Sequence, residues 1–152
     1  MTQRLDPFAV APEGINALLG VENYIRTCGL DHKLIALVKT RVSQINGCAY
    51  CLHMHTEEAR KLGESEARLH LLDAWHESEL YSERERAALA WAESLTNIAT
   101  SRAPDDVYDE ARRQFSEKEL TDLSVVIGMI NLWNRLAIGA RSAHPADLAK
   151  AA

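Results

Sequence analysis

The sequence predicts a single all-α domain, and three observations support this prediction. Apolar residues recur at helical spacing along most of the chain, and no segment shows the alternation typical of a strand. Glycine and proline are few, seven and four, and they stand where helices are expected to begin or end. The chain of 152 residues, 47% of them hydrophobic, is long enough to bury one core. We therefore expect one domain over residues 1–152, built from about six to seven helices.

The first two predicted helices are bounded by caps and turn residues. Pro12 suits the first turn of a helix that ends near Gly29. Asp31 suits the N-cap of the second helix, because its side chain can accept a bond from a free backbone N–H. The second helix should end at Asn46-Gly47, a pair that tolerates left-handed backbone angles.

The third helix carries the residues on which the functional prediction depends. It is predicted to open at or just before Cys48 and to stop at Gly63. A fourth helix should begin at Glu64 or Ser65 and continue through Trp75, since apolar residues follow at helical spacing.

Two capping boxes mark helices in the second half of the chain. Ser82-x-x-Glu85 and Ser116-x-x-Glu119 each precede an apolar-rich segment. Between them, Pro104 introduces a short helix. The second box leads into the long segment 120–138, which is apolar over more than one face. Such a helix is expected in the centre of the core or in a subunit interface.

Composition argues against nucleic-acid and membrane partners. The 17 basic and 22 acidic side chains give a net charge of −5, and no stripe of Lys and Arg is interleaved with aromatic residues. The N-terminus lacks the apolar run of a signal peptide, and no stretch approaches the roughly 20 apolar residues that cross a bilayer. We therefore expect a cytoplasmic protein whose three cysteines are reduced thiols.

The predicted chemistry is concentrated in the segment Cys48-Ala-Tyr-Cys51-Leu-His-Met-His55. An α-helix advances about 100° per residue, so Cys48, Cys51 and His55 lie on one stripe of the third helix. His53 points away from this stripe. The spacing therefore selects His55 as the histidine that accompanies the two cysteines.

The start of a helix stabilises a thiolate, because free backbone N–H groups and the positive end of the helix dipole favour an anion. Thiols in CxxC sites of this kind can have pKa values of about 3.5–7.5. A thiolate attacks peroxides and disulfides, and the second thiol can condense with the resulting sulfenic acid. The imidazole of His55 can accept or return the proton. The motif predicts an attacking thiol, a resolving thiol and a proton carrier, with no cofactor or metal.

The segment from Ser43 to His55, followed by Glu-Ala-Arg-Lys-Leu-Gly63, resembles the signature of a known family. This family is the carboxymuconolactone decarboxylase family, in its alkylhydroperoxidase-D-like (AhpD-like) branch. The likeness continues through segments 83–91 and 131–137, so it covers a core of about 12–140. The resemblance implies an AhpD-like all-α fold that oligomerises through apolar helices as a trimer or hexamer.

The resemblance also implies roles for the residues of the motif. Members with paired cysteines act as thiol peroxidases or disulfide reductases. By this likeness Cys51 attacks a hydroperoxide, Cys48 resolves the product and His55 carries protons. The implied enzyme is a peroxiredoxin-like oxidoreductase of the alkylhydroperoxidase type. Its implied electron donor is an external dithiol, lipoyl-bearing or thioredoxin-like.

The sequence departs from the family pattern at one position. The peroxidase pattern places a glutamate twelve residues before the first cysteine, where this chain has Ala36. Either Glu58 or Glu93 supplies the carboxylate from elsewhere, or the peroxidase is slow. A third explanation is that the protein is a dithiol–disulfide oxidoreductase with little peroxidase turnover.

Three further interpretations of the motif stay open. A zinc site could use the paired cysteines, His55 and Cys28, but the chain offers no second pair of ligands, and structural zinc normally takes four. The cysteines could instead only pack at a helix start, or an oligomeric binding module could use them to sense redox state. Decarboxylating members of the family lack paired cysteines, which argues against that activity here.

Aromatic and polar residues outside the motif are expected to have structural roles. Three tryptophans at helical positions are predicted to lie in the core: Trp75, Trp91 and Trp133. Polar groups in so apolar a helix need buried partners, so hydrogen bonds are predicted for Asn131, Asn134 and Arg135.

Overall fold

The computed structural model describes residues 2–144, and within this range the chain forms nine α-helices and one 3₁₀ segment and contains no strand. They are α1 (Pro7–Val10), α2 (Pro12–Thr27), α3 (His32–Asn46), α4 (Ala49–Lys61), α5 (Glu66–Leu71), the 3₁₀ segment (Leu72–Glu77), α6 (Glu83–Thr96), α7 (Ile98–Ser101), α8 (Asp105–Gln114) and α9 (Glu117–Ala140). The all-α prediction is confirmed. The structure has more helices than predicted, because the sequence pattern does not reveal the four-residue helices α1 and α7. Met1 and the residues from 145 onward, which belong to the predicted domain 1–152, lie outside the described residues.

Caps in the structure lie where the sequence predicts them. The Asp31 side chain accepts a hydrogen bond from the backbone of the first turn of α3 at 3.0 Å. Gly47 ends α3 with a φ of 68°, a left-handed value that glycine adopts without steric strain. The two predicted capping boxes, at the starts of α6 and α9, are both complete. Because α3 stops at Gly47 and α4 begins at Ala49, the cysteine motif follows directly on a tight turn.

Helix α3 is the centre of the fold. It packs against α4, α6 and α9, and its residues Val38 and Val42 are fully buried. Leu123, Val126 and Ile130 of α9 are equally inaccessible and belong to the same apolar cluster. Burying a side chain of this size contributes roughly 1.5–3 kcal/mol. The paired cysteines also belong to this cluster, so the core extends up to the redox motif.

Helix α9 has 24 residues, and its most apolar window has a mean hydropathy of 1.4. By length and composition this helix could cross a bilayer, so the expectation that no stretch approaches that limit is wrong. One side of this helix packs into the core, however, and its residues Asp122, Asn131 and Asn134 are buried with hydrogen-bond partners. Such burial is typical of the central helix of a helical domain.

The hydrogen bonds predicted for the polar residues of α9 are present. Asn46 Nδ2, at the end of α3, donates to Oδ1 of Asn131 at 3.0 Å and to Oδ1 of Asn134 at 2.8 Å. Asn134 Nδ2 donates in turn to Ser43 Oγ at 3.1 Å. Arg135 donates to the backbone oxygen of Asn131 at 2.8 Å. This network ties the last turn of α3 to α9 and thereby holds the turn that precedes the cysteines.

Candidate active site

Cys48 and Cys51 are joined by a disulfide bond across the first turn of α4. Cys48 is the N-cap residue of this helix, and its Sγ accepts a hydrogen bond from the backbone N–H of Cys51 at 3.3 Å. Both cysteines are buried. The expectation of three reduced thiols is therefore wrong for this pair, because the one-turn spacing brings the two sulfurs into bonding contact. Cys28 is the free cysteine of the described chain.

The start of α4 acts more directly on Cys48 than on Cys51. An N-cap side chain faces the free N–H groups of the first turn, and these groups stabilise a negative charge placed there. After reduction of the disulfide, the thiolate form of Cys48 is therefore the one that the helix start favours. Within the predicted stripe, the two cysteines have different electrostatic surroundings.

His55 is buried one turn after Cys51, with 4% of its surface exposed. Its Nδ1 lies 3.0 Å from Oε2 of Glu58. An ionised carboxylate only accepts hydrogen bonds, so Nδ1 carries the hydrogen and Nε2 of the neutral ring is the acceptor. Nε2 is buried and has no hydrogen-bond partner within residues 2–144. The imidazole is thus oriented by its hydrogen bond at Nδ1, while Nε2 is enclosed in the protein without a bonding partner among the described residues.

Glu58 is the carboxylate that accompanies His55. The hydrogen bond with His55 holds the pKa of Glu58 below its ordinary value, although partial burial acts in the opposite direction. Half of the Glu58 side chain is exposed, so its charge is partly screened by solvent. Glu58 therefore remains ionised at neutral pH and keeps its hydrogen bond to the imidazole.

The structure decides between the two carboxylates considered as replacements for the glutamate missing at position 36. Ala36 is 1% exposed and packs in a small apolar cluster, so its position offers no space for a carboxylate. Glu93 accepts hydrogen bonds from Arg41 at 2.8 Å and from Trp75 at 2.7 Å, so its carboxylate is bonded to residues other than His55. Of the two candidates, Glu58 is the one bonded to His55.

A cavity of about 1030 Å³ opens beside the motif. Cys51, His55 and Glu58 contribute to its lining, whereas Cys48 does not. His53, predicted to point away from the stripe, also lines it. Ligand cavities in proteins typically measure about 300–1000 Å³, so this one has space for an organic molecule. A reactant in this cavity meets Cys51 and the His55–Glu58 pair on the same wall.

The cavity also contains a buried ion pair that the sequence analysis does not identify. Lys39 Nζ of α3 donates to Oε2 of Glu22 of α2 at 2.8 Å. Trp133 Nε1 of α9 donates to the other carboxylate oxygen of Glu22 at 2.9 Å. The tryptophan is therefore partly buried at the cavity wall and not enclosed in the core as predicted, while Trp75 and Trp91 are buried. The sequence feature that could have revealed this ion pair is the position of Lys39 among the apolar residues of α3.

The described part of the chain gives no support to a metal centre. Within residues 2–144, no group of three or more His, Cys, Asp or Glu side chains is placed to hold a metal ion. The histidine nearest in sequence to His55, His53, contacts another ring, that of His144, edge to face at 4.9 Å between ring centroids.

Comparison with known proteins places the motif in a family context. The model of the carboxymuconolactone decarboxylase family matches residues 11–94, which include the whole cysteine motif. The protein YdfG of Bacillus subtilis is 42% identical over 138 residues, covering 91% of this chain and 94% of its own length.

Solved structures show the same fold. A protein of unknown function from Agrobacterium tumefaciens, suggested to be the antioxidant defence protein AhpD, superimposes with a TM-score of 0.92 at 44% identity. The match covers 95% of this chain and 99% of that one. The debrominase Bmp8 superimposes with a TM-score of 0.80 at 23% identity, over 89% of this chain and 73% of its own. At that identity the likeness concerns the fold alone.

Proposed function

The chain belongs to the AhpD-like branch of the carboxymuconolactone decarboxylase family, and we propose that it is a thiol-dependent peroxidase that reduces organic hydroperoxides. One observation carries this proposal. Of the two paired cysteines, Cys51 lines the large cavity, and His55, whose buried Nε2 has no hydrogen-bond partner among the described residues, lines it too. A nucleophile and a proton carrier thus face one space that has room for an organic substrate.

In the first step, His55 Nε2 accepts the proton of the reduced Cys51 thiol. The Cys51 thiolate attacks one oxygen of the hydroperoxide, the O–O bond breaks, and the sulfur becomes a sulfenic acid. The departing alkoxide takes the proton from His55 and leaves as an alcohol. Two electrons pass from the sulfur to the peroxide, and the imidazole returns to its neutral form.

In the second step, Cys48 resolves the sulfenic acid. Its thiolate, stabilised at the N-cap of α4, attacks the sulfur of Cys51 and displaces hydroxide, which is protonated to water. This step forms a Cys48–Cys51 disulfide, and the disulfide bond of the structure is compatible with it. An external dithiol, lipoyl-bearing or thioredoxin-like, then reduces the disulfide and becomes oxidised itself. Each cycle converts one hydroperoxide and one dithiol into an alcohol, water and a disulfide.

Glu58 is proposed to position His55 and not to touch the substrate. Its hydrogen bond fixes the tautomer with Nε2 bare, which is the form that accepts a proton from Cys51. It also stabilises the imidazolium that exists between the two proton transfers. Glu58 thereby does the work that the family pattern assigns to the glutamate absent at Ala36.

A dithiol–disulfide oxidoreductase is the second candidate, and the N-cap location of Cys48 favours it. In disulfide exchange the attacking group is a stabilised thiolate, and here the helix start stabilises Cys48. Both cysteines are buried, however, and of the two only Cys51 lines the cavity, so we expect a disulfide substrate to reach Cys51 more readily. The peroxidase therefore remains the leading proposal.

We further propose that the chain forms a homo-oligomer, a trimer or hexamer, in the cytoplasm. Large apolar side chains are exposed at the N-terminal end and on α2, among them Leu5, Phe8, Val10, Leu19 and Tyr24. Exposed apolar groups of this kind are typical of subunit contacts. Light scattering coupled to gel filtration measures the subunit number directly.

Turnover separates the two candidate functions. The reduced protein is mixed with cumene hydroperoxide and with an oxidised disulfide substrate in parallel, with dihydrolipoamide as electron donor. The peroxidase proposal predicts saturable consumption of hydroperoxide that is lost in Cys51→Ser. Rapid turnover of the disulfide substrate with no consumption of hydroperoxide would establish the second candidate instead.

A further inference from the structure

Two hydrogen-bonded polar groups are among the residues that line the cavity. One is the redox group of α4, formed by Cys51, His55 and Glu58. The other is the Lys39–Glu22 ion pair, which none of the proposed redox steps uses. Apolar side chains also line the cavity, among them Ile25 of α2, Ile35 of α3 and Leu136 of α9, together with further charged side chains such as Arg26, Glu57 and Lys61. A cavity with apolar walls and a few fixed polar groups is typical of a site that orients an amphipathic ligand.

The burial of Lys39 is unusual for a lysine. Its side chain is 9% exposed, whereas the other cationic chains that line the cavity, Arg26 and Lys61, are exposed. Taking an ammonium group out of water is unfavourable unless it is paired, and pairing seldom gives a net gain over apolar packing. The buried charge at this position makes Lys39 a candidate for binding an anionic group within the cavity.

The hydrogen-bonding capacity of Lys39 is not used up. An ammonium has three N–H donors, and the described chain shows one of them bonded, to Glu22. Both oxygens of Glu22, in contrast, are occupied, by Lys39 and by the indole N–H of Trp133. An anionic oxygen entering the cavity can therefore accept a second bond from Lys39 without displacing Glu22.

We propose that Lys39 binds the carboxylate of an acidic organic hydroperoxide, so that the preferred substrates are amphipathic acids with a hydroperoxide group, such as fatty-acid hydroperoxides. This inference rests on the proposed peroxidase function and extends it to the substrate class. The carboxylate binds at Lys39, the apolar body lies along the isoleucine and leucine side chains, and the hydroperoxide group reaches Cys51. The two polar groups lie within electrostatic range of each other, since the charge of Lys39 contributes, after the hydrogen bond with His55, to the lowered pKa of Glu58.

The proposal makes opposite predictions for the two partners of the ion pair. In Glu22→Gln, the amide can still accept from Trp133, but Lys39 loses its anionic competitor, so the carboxylate of the substrate should bind more tightly. In the double variant Lys39→Met/Glu22→Gln, no charge remains at the site and no buried carboxylate is left unpaired. Lys33→Met is the matched control, because Lys33 is an exposed lysine of the same helix that does not line the cavity.

The test compares linoleic acid hydroperoxide with its methyl ester, using kcat/KM of the reduced full-length protein. We expect the acid-to-ester ratio to rise in Glu22→Gln, to fall about tenfold or more in the double variant, and to be unaltered in Lys33→Met. A ratio that is the same in all four proteins overturns the inference and leaves the peroxidase proposal intact. A structural role of Lys39 alone predicts that result, since it would change both substrates alike.

If the protein shows no peroxidase turnover, the inference can still be tested by measuring the binding of linoleic acid, which carries no peroxide group, by calorimetry. Binding by the wild-type protein that is lost in the double variant supports the acid site independently of the peroxidase proposal. Binding that is absent in both, or equal in both, overturns it.

Discussion

His55 Nδ1 lies 3.0 Å from Glu58 Oε2, one turn further along α4, and this contact gives the buried imidazole a carboxylate partner. Residues three apart on a helix lie side by side, so the carboxylate and the imidazole are carried by one rigid element. Under the proposed function, this carboxylate takes the place of the relay glutamate that the family pattern expects on α3, at Ala36.

Replacing Glu58 tests this assignment. We expect Glu58→Gln to lower kcat for hydroperoxide reduction by about 10- to 100-fold, less than the roughly 10²–10⁴-fold that loss of the proton carrier His55 would cause. The expected split is a lower kcat with little change in KM, because Glu58 acts through His55. Stopped-flow measurements should show slower oxidation of Cys51 and an unaffected rate of disulfide formation from the sulfenic acid.

Two further variants control for the charge of Glu58. Glu58→Asp keeps the carboxylate and should recover part of the rate. Glu57→Gln removes a neighbouring carboxylate that pairs with Arg60 and should not reproduce the effect. Equal rates in Glu58→Gln and wild type would show that His55 needs no carboxylate partner.

Restoring the glutamate of the family pattern tests why it is absent. Ala36 is buried against Ala59 and Leu69, so Ala36→Glu places both extra volume and a charge in a closed cluster. We expect this variant to lower the free energy of unfolding by about 2–4 kcal/mol and to leave the peroxidase rate no higher. Urea denaturation measures the stability. Ala36→Leu separates the effect of volume from that of charge, and a stable, faster Ala36→Glu would refute the assignment of Glu58 as the replacement.

The start of α9 gives a pH-dependent stability. Bonds from the Ser116 backbone and side chain and from Arg84 lower the pKa of Glu119 to about 2. A carboxyl group whose pKa is lowered on folding stabilises the native state above its ordinary pKa, and this contribution is lost as the pH falls through the lowered value. The stability difference between wild type and Glu119→Ala should therefore be constant above about pH 5 and should shrink steadily as the pH is lowered from there towards 2.

Thermal or urea unfolding across this pH range measures the difference, which stays modest because Glu119 is partly exposed to solvent. Glu117→Ala is the control, since Glu117 lies in the same turn and makes only a 3.5 Å contact with Arg112. A stability difference that stays constant from neutral pH down to about pH 2 would contradict the claim that ionised Glu119 stabilises the start of α9.

The fold and the core of the site were predictable because local signals determine them. Asp31 and Gly47 bound α3 through a cap and a left-handed turn, both readable from residue type. The one-turn spacing of Cys48, Cys51 and His55 places them on one stripe wherever the helix lies. His55 and Glu58 are three residues apart on the same helix, and residues at this spacing are neighbours. This spacing could have selected Glu58 over Glu93 as the carboxylate that pairs with His55.

The remaining features depend on packing between distant helices. Glu93 is held by Arg41 and Trp75, which come from other elements, and no local pattern reveals this. The Lys39–Glu22 pair joins α3 to α2, and its third member, Trp133, lies 111 residues from Glu22 in sequence. A cavity formed where α2, α3, α4 and α9 meet is likewise invisible until these helices are placed.

The most direct test of the central claim is to map the thiols by mass spectrometry after one equivalent of cumene hydroperoxide, on reduced wild type, Cys48→Ser and Cys51→Ser. The account predicts a Cys48–Cys51 disulfide in the wild type within seconds, sulfenic acid on Cys51 in Cys48→Ser, and no oxidation of Cys48 in Cys51→Ser. Sulfenic acid on Cys48 in Cys51→Ser, or a wild-type pair that stays reduced in the presence of hydroperoxide, would contradict it.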